Sequence, residues 1–409
     1  MTAPRPSPDP VSSALPPVRV RRDLLIVVGL AASPLVALGC SRFAYALLLP
    51  AMRSELGWSF TTAGLMNTLN AVGYLVGALG TAWAAAKLGQ RTAFVGSLVL
   101  TVLALGATAA TRSLEVLLAV RSVLGIAGAG AFVLGGAITS TISRRHTPHR
   151  SAVLIGTYFA GGGVGIVASG LLVPAVLDRL GPAGWPAGWL VLSGLAAVGT
   201  AAATFAAYAA PTAPPAAPGS RRSWVPGLSR LASGYLLFGA GYIGYMTFII
   251  ALLTQVGLSP QQIAAFWVLL GVAGAVSGQV WARLLRGAQG GSAAAVLFVL
   301  LAVATGIPAT TSATPALFVS GGLFGLCFLS LVGAVTAAGR DAVDPADTTA
   351  ALGMLTTVFA LGQVVGPWLS GALADRTGGH QLGLGVSAGL LLLGAVLCRL
   401  QPPRRVAAS

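Results

Sequence analysis

Apolar runs of about twenty residues recur along nearly the whole of this 409-residue sequence, divided by clusters of turn-forming and charged residues. A helix needs ~20 such residues to cross the hydrocarbon core of a bilayer. Twelve spans can be drawn, near residues 24–50, 61–86, 91–111, 114–142, 151–177, 186–208, 229–252, 261–284, 292–311, 315–338, 348–374 and 381–400. Only 8% of the residues are charged, roughly a third of the share in a soluble domain, so an all-α integral membrane protein is expected. The 55 glycines fit that class, because small residues let helices approach closely where no hydrophobic force separates them from lipid.

The formal charge of +15 raises the possibility of a nucleic-acid partner, and the placement of the basic residues excludes it. With both termini inside, the tails and even-to-odd loops hold eighteen of the 24 Lys and Arg residues, the bias that orients membrane proteins. The partners expected are therefore the lipid bilayer and a small-molecule solute. Residues 1–23, rich in Pro and Ser, read as a disordered cytoplasmic tail, and 401–409 as a second tail. Residues 209–228, with their prolines and Arg221 and Arg222, read as a cytoplasmic linker between six-helix halves at 24–208 and 229–400. One lysine among the basic residues, with abundant Ala and Gly, suggests a GC-rich bacterial gene and an inner membrane. Cys40, Cys327 and Cys398 lie in apolar stretches at no metal-ligand spacing and read as packing residues, and no cofactor is expected.

The halves repeat each other. A shift of 200 superimposes Gly39 on Gly239, Tyr45 on Tyr245, Gly57 on Gly257 and Ser59 on Ser259; a shift of 197 superimposes Asp178 on Asp375, Arg179 on Arg376 and Gly181 on Gly378. Parallel repeats of this kind characterise one large class of transporters.

The stretches SRFAYALLLPAM from Ser41, GTYFAGGGVGIVASGLLVP from Gly156 and LGQVVGPWLSGALADRTGG from Leu361 make the chain resemble the major facilitator superfamily, most closely its YbfB/YjiJ-like branch. The resemblance implies two pseudo-symmetric halves around a central cavity lined by helices 1, 4, 7 and 10. It also implies a basic gating loop between helices 2 and 3, where Lys87, Gly89 and Arg91 match the family pattern and Ala86 replaces its acid.

Two arginines stand inside apolar spans, Arg42 in the first and Arg121 in the fourth. A charge there is costly and marks a pathway; the alternative is that Arg42 snorkels to the outer headgroups and Arg121 caps backbone carbonyls. At ~1.5 Å per residue both fall in the outer half of their helices, where two planar guanidiniums suit a carboxylate or phosphate. Asn67, Asn70 and Tyr74 share one face of the second span, Tyr45 follows Arg42 by three residues, Tyr242 and Tyr245 repeat that spacing on the seventh, and Gln363 lies in the eleventh. These are the candidate substrate-binding residues; hydrogen bonding between helices is the alternative role for each polar one. No Asp or Glu lies in the middle of a span, so no relay for a coupling proton is evident, although H+ is the expected coupling ion.

Candidate gating residues lie elsewhere. Gly366 and Pro367 are expected to bend the eleventh helix, and Pro34 the first. The basic loop from Arg144 to Arg150 corresponds, by repeat, to the acidic loop with Asp341 and Asp344, a candidate clamp across the halves. Asp344 before Pro345, and Asp347 before the next span, also read as helix N-caps, the favoured role. His146 and His149 read as solvated loop residues.

The three histidines all fall in loops, the expected spans lack a mid-membrane acid, and no phosphate-binding Gly-rich loop ends in Lys-Ser/Thr, which leaves no constellation for an embedded enzyme or an ATP-driven pump. The resemblance and the repeat point to a monomeric secondary carrier working by alternating access, for an anionic or zwitterionic metabolite. Its rivals are an exporter of uncharged or cationic compounds and, more remotely, a sensor.

Overall fold

A computed structural model describes residues 20–211, 225, 227–344 and 347–402. The expected N-terminal tail up to residue 19, the core of the linker at 212–224 and the C-terminal tail from 403 lie outside the described residues. Among the described residues, twelve helices are long and apolar enough to cross a membrane. We label them α1 (Val20–Leu56), α2 (Phe60–Leu88), α3 (Gln90–Ala109), α4 (Leu114–Ser143), α5 (His149–Leu180), α6 (Pro182–Ala209), α7 (Ser229–Gln255), α8 (Pro260–Val280), α9 (Ser292–Thr310), α10 (Thr314–Asp341), α11 (Ala350–Thr377) and α12 (Gln381–Arg399).

The residues matched by the repeat mark equivalent chain reversals. Gly57 and Gly257 both take positive φ after the first helix of their half, and Gly181 and Gly378 both do so after the fifth. Ser59 and Ser259 each cap the following helix by accepting a hydrogen bond from the backbone N–H three residues on. The halves then meet in a matching pair of seams: α2 packs on α11, and α8 packs on α5.

The first helix departs most from expectation. Among the described residues it is helical from Val20, four residues before the expected span, and Asp23 on this added turn is buried and bound by the Nε2 of His146 at 2.9 Å. His146 is thus a partner of α1 and not a solvated loop residue. Where Pro34 predicts a bend, the helix widens into a nine-residue π-helix, Leu35–Phe43, and returns to α-winding at Tyr45–Leu56. Proline removes one donor, and π-winding is a way to absorb the resulting slip; such segments recur at functional sites. Arg42 sits on this segment. The widened turn is gripped by α5, since a Cβ on Gly165 would meet the Leu35 carbonyl at 2.7 Å and the Gly39 Cα at 2.9 Å. Small residues at this crossing let the two backbones touch.

Helix α11 runs without interruption through Gly366 and Pro367. The pair serves close approach: Gly366 lies against the Ala240 carbonyl of α7, and the Pro367 carbonyl lies against Gly64 of α2.

Candidate functional site

Contacts between the halves gather from the middle of the bundle toward the end distal to the chain termini. There Gly64 and Gly371 meet the backbones of Pro367 and Phe60, and a Cβ added to Gly163 would lie 2.6 Å from the Gly271 carbonyl. At the termini-bearing end a Cβ on Gly80, Gly156, Gly278 or Gly353 meets nothing within 4 Å. The molecule is closed at the distal end.

At the inner face of this closure the two buried arginines each start a polar chain that crosses the halves. Arg42 Nη2 donates to Gln363 Oε1 at 2.6 Å, and Gln363 Nε2 donates to the Tyr242 hydroxyl at 2.8 Å. The Arg42 guanidinium also lies over the Tyr74 ring, 5.1 Å from its centroid. Arg121 Nη2 donates to Asn67 Oδ1 at 2.7 Å, and Asn67 Nδ2 donates to Thr247 Oγ1 at 2.8 Å. Its Nη1 donates to the Ser41 carbonyl at 2.9 Å, close to where π-winding gives way to α-winding. The Arg121 guanidinium lies over the Tyr45 and Trp189 rings, at 4.8 and 5.8 Å from their centroids. Neither arginine has a carboxylate partner among the described residues.

The two sites differ in access. Arg121 is fully buried, and its Nε has no partner. Arg42 is 5% exposed and only its Nη2 is bonded to protein, so its other nitrogens remain able to donate. Facing it is a stack of aromatic rings: Tyr235 on Phe359 at 4.6 Å, Phe238 on Tyr242 at 4.7 Å and Tyr242 on Phe359 at 5.7 Å. Tyr242 continues to Phe328 at 6.5 Å, against which Phe43 packs edge-on. The arrangement offers one accessible fork for an anion beside an apolar, aromatic wall.

Of the nine candidate binding residues, Arg42, Tyr74, Tyr242 and Gln363 form one cluster, and Arg121, Asn67, Asn70 and Tyr45 the other. Asn70 donates to the Arg121 carbonyl at 3.2 Å and Tyr45 to the Ala63 carbonyl at 2.8 Å, both within the first half. Tyr245 lies apart: its hydroxyl shares a hydrogen bond with Ser320 and its ring stacks on Phe324 at 4.0 Å, inside the second half. Sequence reading missed Thr247, the Ser41 carbonyl and the aromatic stack. Tyr235, Phe238 and Tyr242 recur at helical spacing, which is the signal that could have revealed the stack.

The candidate gating residues take several positions. Lys87 lies over the Trp83 ring at 5.0 Å, and Arg91 Nη2 donates to the Ala210 carbonyl at 2.5 Å, tying α3 to the end of α6 within one half. Arg144, Asp341 and Asp344 are exposed at the termini-bearing end, with Asp341 3.2 Å from Arg340.

The distal seam holds a cluster that sequence reading overlooked. Asp375, at the end of α11, accepts from the backbone N–H groups of Phe60 and Thr61, both at 2.8 Å, and from the Thr61 hydroxyl at 2.5 Å. A carboxylate from one half thus caps the α2 N-terminus of the other, where unpaired N–H groups and the helix dipole favour negative charge. Its repeat mate Asp178 is exposed, and α8 instead caps itself through Ser259 and Gln262. Beside Asp375, His380 is buried, edge-on to Phe60 at 4.4 Å and stacked on Phe248 at 5.2 Å, while the Arg53 guanidinium lies over the Phe60 ring at 3.7 Å.

Burial holds the His380 imidazole down to about 4, the Arg53 charge adds to the effect, and Asp375 opposes it. The closed seam therefore keeps His380 neutral, and any opening that hydrates the ring returns it toward its ordinary value near 6.5. Closure is fully supported above pH ~6.5 and weakens as pH falls toward 4, at ~1.4 kcal/mol per unit of separation. Acidifying from pH 7 to 5 is expected to shift labels across the distal seam apart, by about twentyfold in the open-to-closed ratio, and His380→Phe to remove that response. A pH-independent distance in the parent protein contradicts this.

Comparison with known proteins agrees with the geometry. A family model described as "Uncharacterised MFS-type transporter YbfB" matches residues 34–399. The chain belongs to this family of the major facilitator superfamily. Its relatives are transporters and not enzymes. A search of curated protein sequences gives no match. Among solved structures, a bacterial homologue of the human lysosomal transporter Spinster, inward-facing and unoccupied, superimposes with a TM-score of 0.70 at 15% identity, covering 94% of this chain and 97% of that one. The nucleoside transporter NupG gives 0.70 at 15% identity over 94% and 100% of the two chains. The human organic anion transporter MFSD10 gives 0.64 at 19% over 93% and 99%. At such identities these facilitators share the fold.

Proposed function

We propose that this facilitator is a secondary active carrier for a small organic anion or zwitterion, bound between the halves at Arg42 and moved by alternating access. The observation that carries the reading is Arg42: a guanidinium near the middle of the bundle, free of any carboxylate among the described residues, with donors to spare. A carboxylate or phosphate there would gain paired, charge-assisted hydrogen bonds and relieve the cost of an uncompensated charge. Gln363 and Tyr242, bonded in series to Arg42, would transmit the arrival of solute to the second half. With the termini in the cytoplasm of a bacterial inner membrane, as the basic loops favour, the described conformation is inward-facing. H+ is the coupling ion we favour, with transport driven by the solute gradient alone as the alternative.

The aromatic stack from Tyr235 to Phe328 supports a second reading, export of uncharged or cationic lipophilic compounds. Thermal stabilisation by carboxylates, zwitterions and lipophilic cations, measured on the parent and on Arg42→Gln, separates the two. A ligand at ~100 times its dissociation constant adds about 2.7 kcal/mol to the folded state. The anion reading expects carboxylates to stabilise the parent and not the variant. Equal stabilisation of both by lipophilic cations alone transfers the assignment to the exporter.

A further inference from the structure

We propose that the corner where α7 and α9 begin and α12 ends is a binding site for a phospholipid with an anionic headgroup. A groove of about 560 Å³ runs between α9 and α12, lined by Ala295, Val296, Val299, Leu300, Ala395 and Val396. Two buried alanines, Ala295 and Ala395, set back between the exposed Val296, Val299 and Val396, give the groove an apolar floor on a face directed at lipid. The groove does not end in more apolar surface. At the termini-bearing end its lining continues into Ser292, Arg399 and Leu400.

That end carries the charge that selects the headgroup. Arg399 is exposed on the last turn of α12, and no ion pair holds it among the described residues. Arg230, exposed on the first turn of α7, donates through Nη1 to the Leu400 carbonyl at 2.8 Å, which fixes a second guanidinium beside the groove mouth. Ser292 opens α9, so the positive end of that helix points to the same place. The corner is built and not incidental: Gly291 N donates to the Gln401 carbonyl at 3.4 Å, and Gln401 Nε2 donates to the Gly227 carbonyl at 3.1 Å. Basic pockets between membrane helices take anionic headgroups, and an alkyl chain in the adjoining groove adds apolar contact that a soluble anion lacks. The lipid bridges the cavity-lining helix α7 to α12 and α9, and so braces the second half as one body.

The test uses the full-length protein purified in neutral detergent, titrated with phosphatidylglycerol or phosphatidylcholine of identical chains. Phosphatidylglycerol is expected to raise the unfolding midpoint by about 4 °C or more, and phosphatidylcholine by clearly less. The double variant Arg230→Gln/Arg399→Gln removes the difference, whereas Arg150→Gln, an exposed arginine at the same end of the other half, keeps it. Val299→Trp, on an already exposed position, fills the groove and abolishes retention of phosphatidylglycerol in intact-complex mass spectra; Val296→Trp repeats the test. Equal stabilisation by the two lipids, survival of the preference in the double variant, or reproduction of the full effect by inorganic phosphate overturns the proposal.

Discussion

Gly64→Val holds the carrier open at its distal end while leaving each half folded. A Cβ at Gly64 collides with the Pro367 carbonyl of the opposite half, and backbone has no rotamer by which to yield. Gly163, on the other seam, behaves alike against Ala275 N at 2.6 Å. Overpacking costs ~1–3 kcal/mol or more. The whole cost falls on the conformation in which the seams meet, so ~3 kcal/mol displaces the equilibrium by about a hundredfold. Transport should fall by at least about tenfold, while the unfolding midpoint changes little and distal label distances lengthen. Gly125→Val provides the contrast. Its new Cβ would strike the Asn70 carbonyl within one half, which no rocking motion relieves, so the loss appears as unfolding. Unchanged distal distances in Gly64→Val would show that the seam does not govern closure.

Arg121→Lys is expected to cost stability and transport together. The guanidinium reaches the Ser41 carbonyl with one nitrogen and Asn67 Oδ1 with the other, and it lies over the Tyr45 and Trp189 rings. Lysine keeps the charge but has a single nitrogen on a longer stem, so one buried acceptor loses its donor, a penalty of ~1–3 kcal/mol. If the lost partner is Asn67, its amide is free to turn, and the bond to Thr247 across the halves goes with it. The midpoint for unfolding should drop by several degrees, and transport by about tenfold, because both the π-to-α junction beside Arg42 and a cross-half chain depend on this side chain. Wild-type stability in the lysine variant would mean that a point charge suffices there. The role would then be electrostatic and not one of positioning.

The halves were legible because the repeat places identical residues where the chain must reverse. Gly57, Gly257, Gly181 and Gly378 mark left-handed turns that few other residues tolerate, and Ser59 and Ser259 cap the helices that follow. Arg42 and Arg121 were legible for a different reason: an ionisable group stands out against hydrocarbon-length apolar runs whatever its neighbours are. Which tyrosine faces the arginines was not. Tyr242 and Tyr245 have the same local spacing, yet Tyr242 joins Gln363 and Tyr245 bonds Ser320 within its own half. The difference is helix rotation, set by the helices that pack against α7.

Asp375 and His380 show the same limit. Beside a terminal glycine turn, each reads as an ordinary loop-edge residue; only the approach of α2 from the other half makes one a helix cap and buries the other between aromatic rings. The sequence alone determined the twelve membrane helices, their division into two repeated halves and the two costly arginines, because hydrophobic length, turn chemistry and the price of a buried charge are local properties. The tertiary structure decided the π-wound first helix, the two polar chains across the halves and the Asp375 cap beside buried His380 at the distal seam. Each depends on backbones meeting at glycine contacts between helices far apart in the chain, and no spacing within a single helix encodes that meeting.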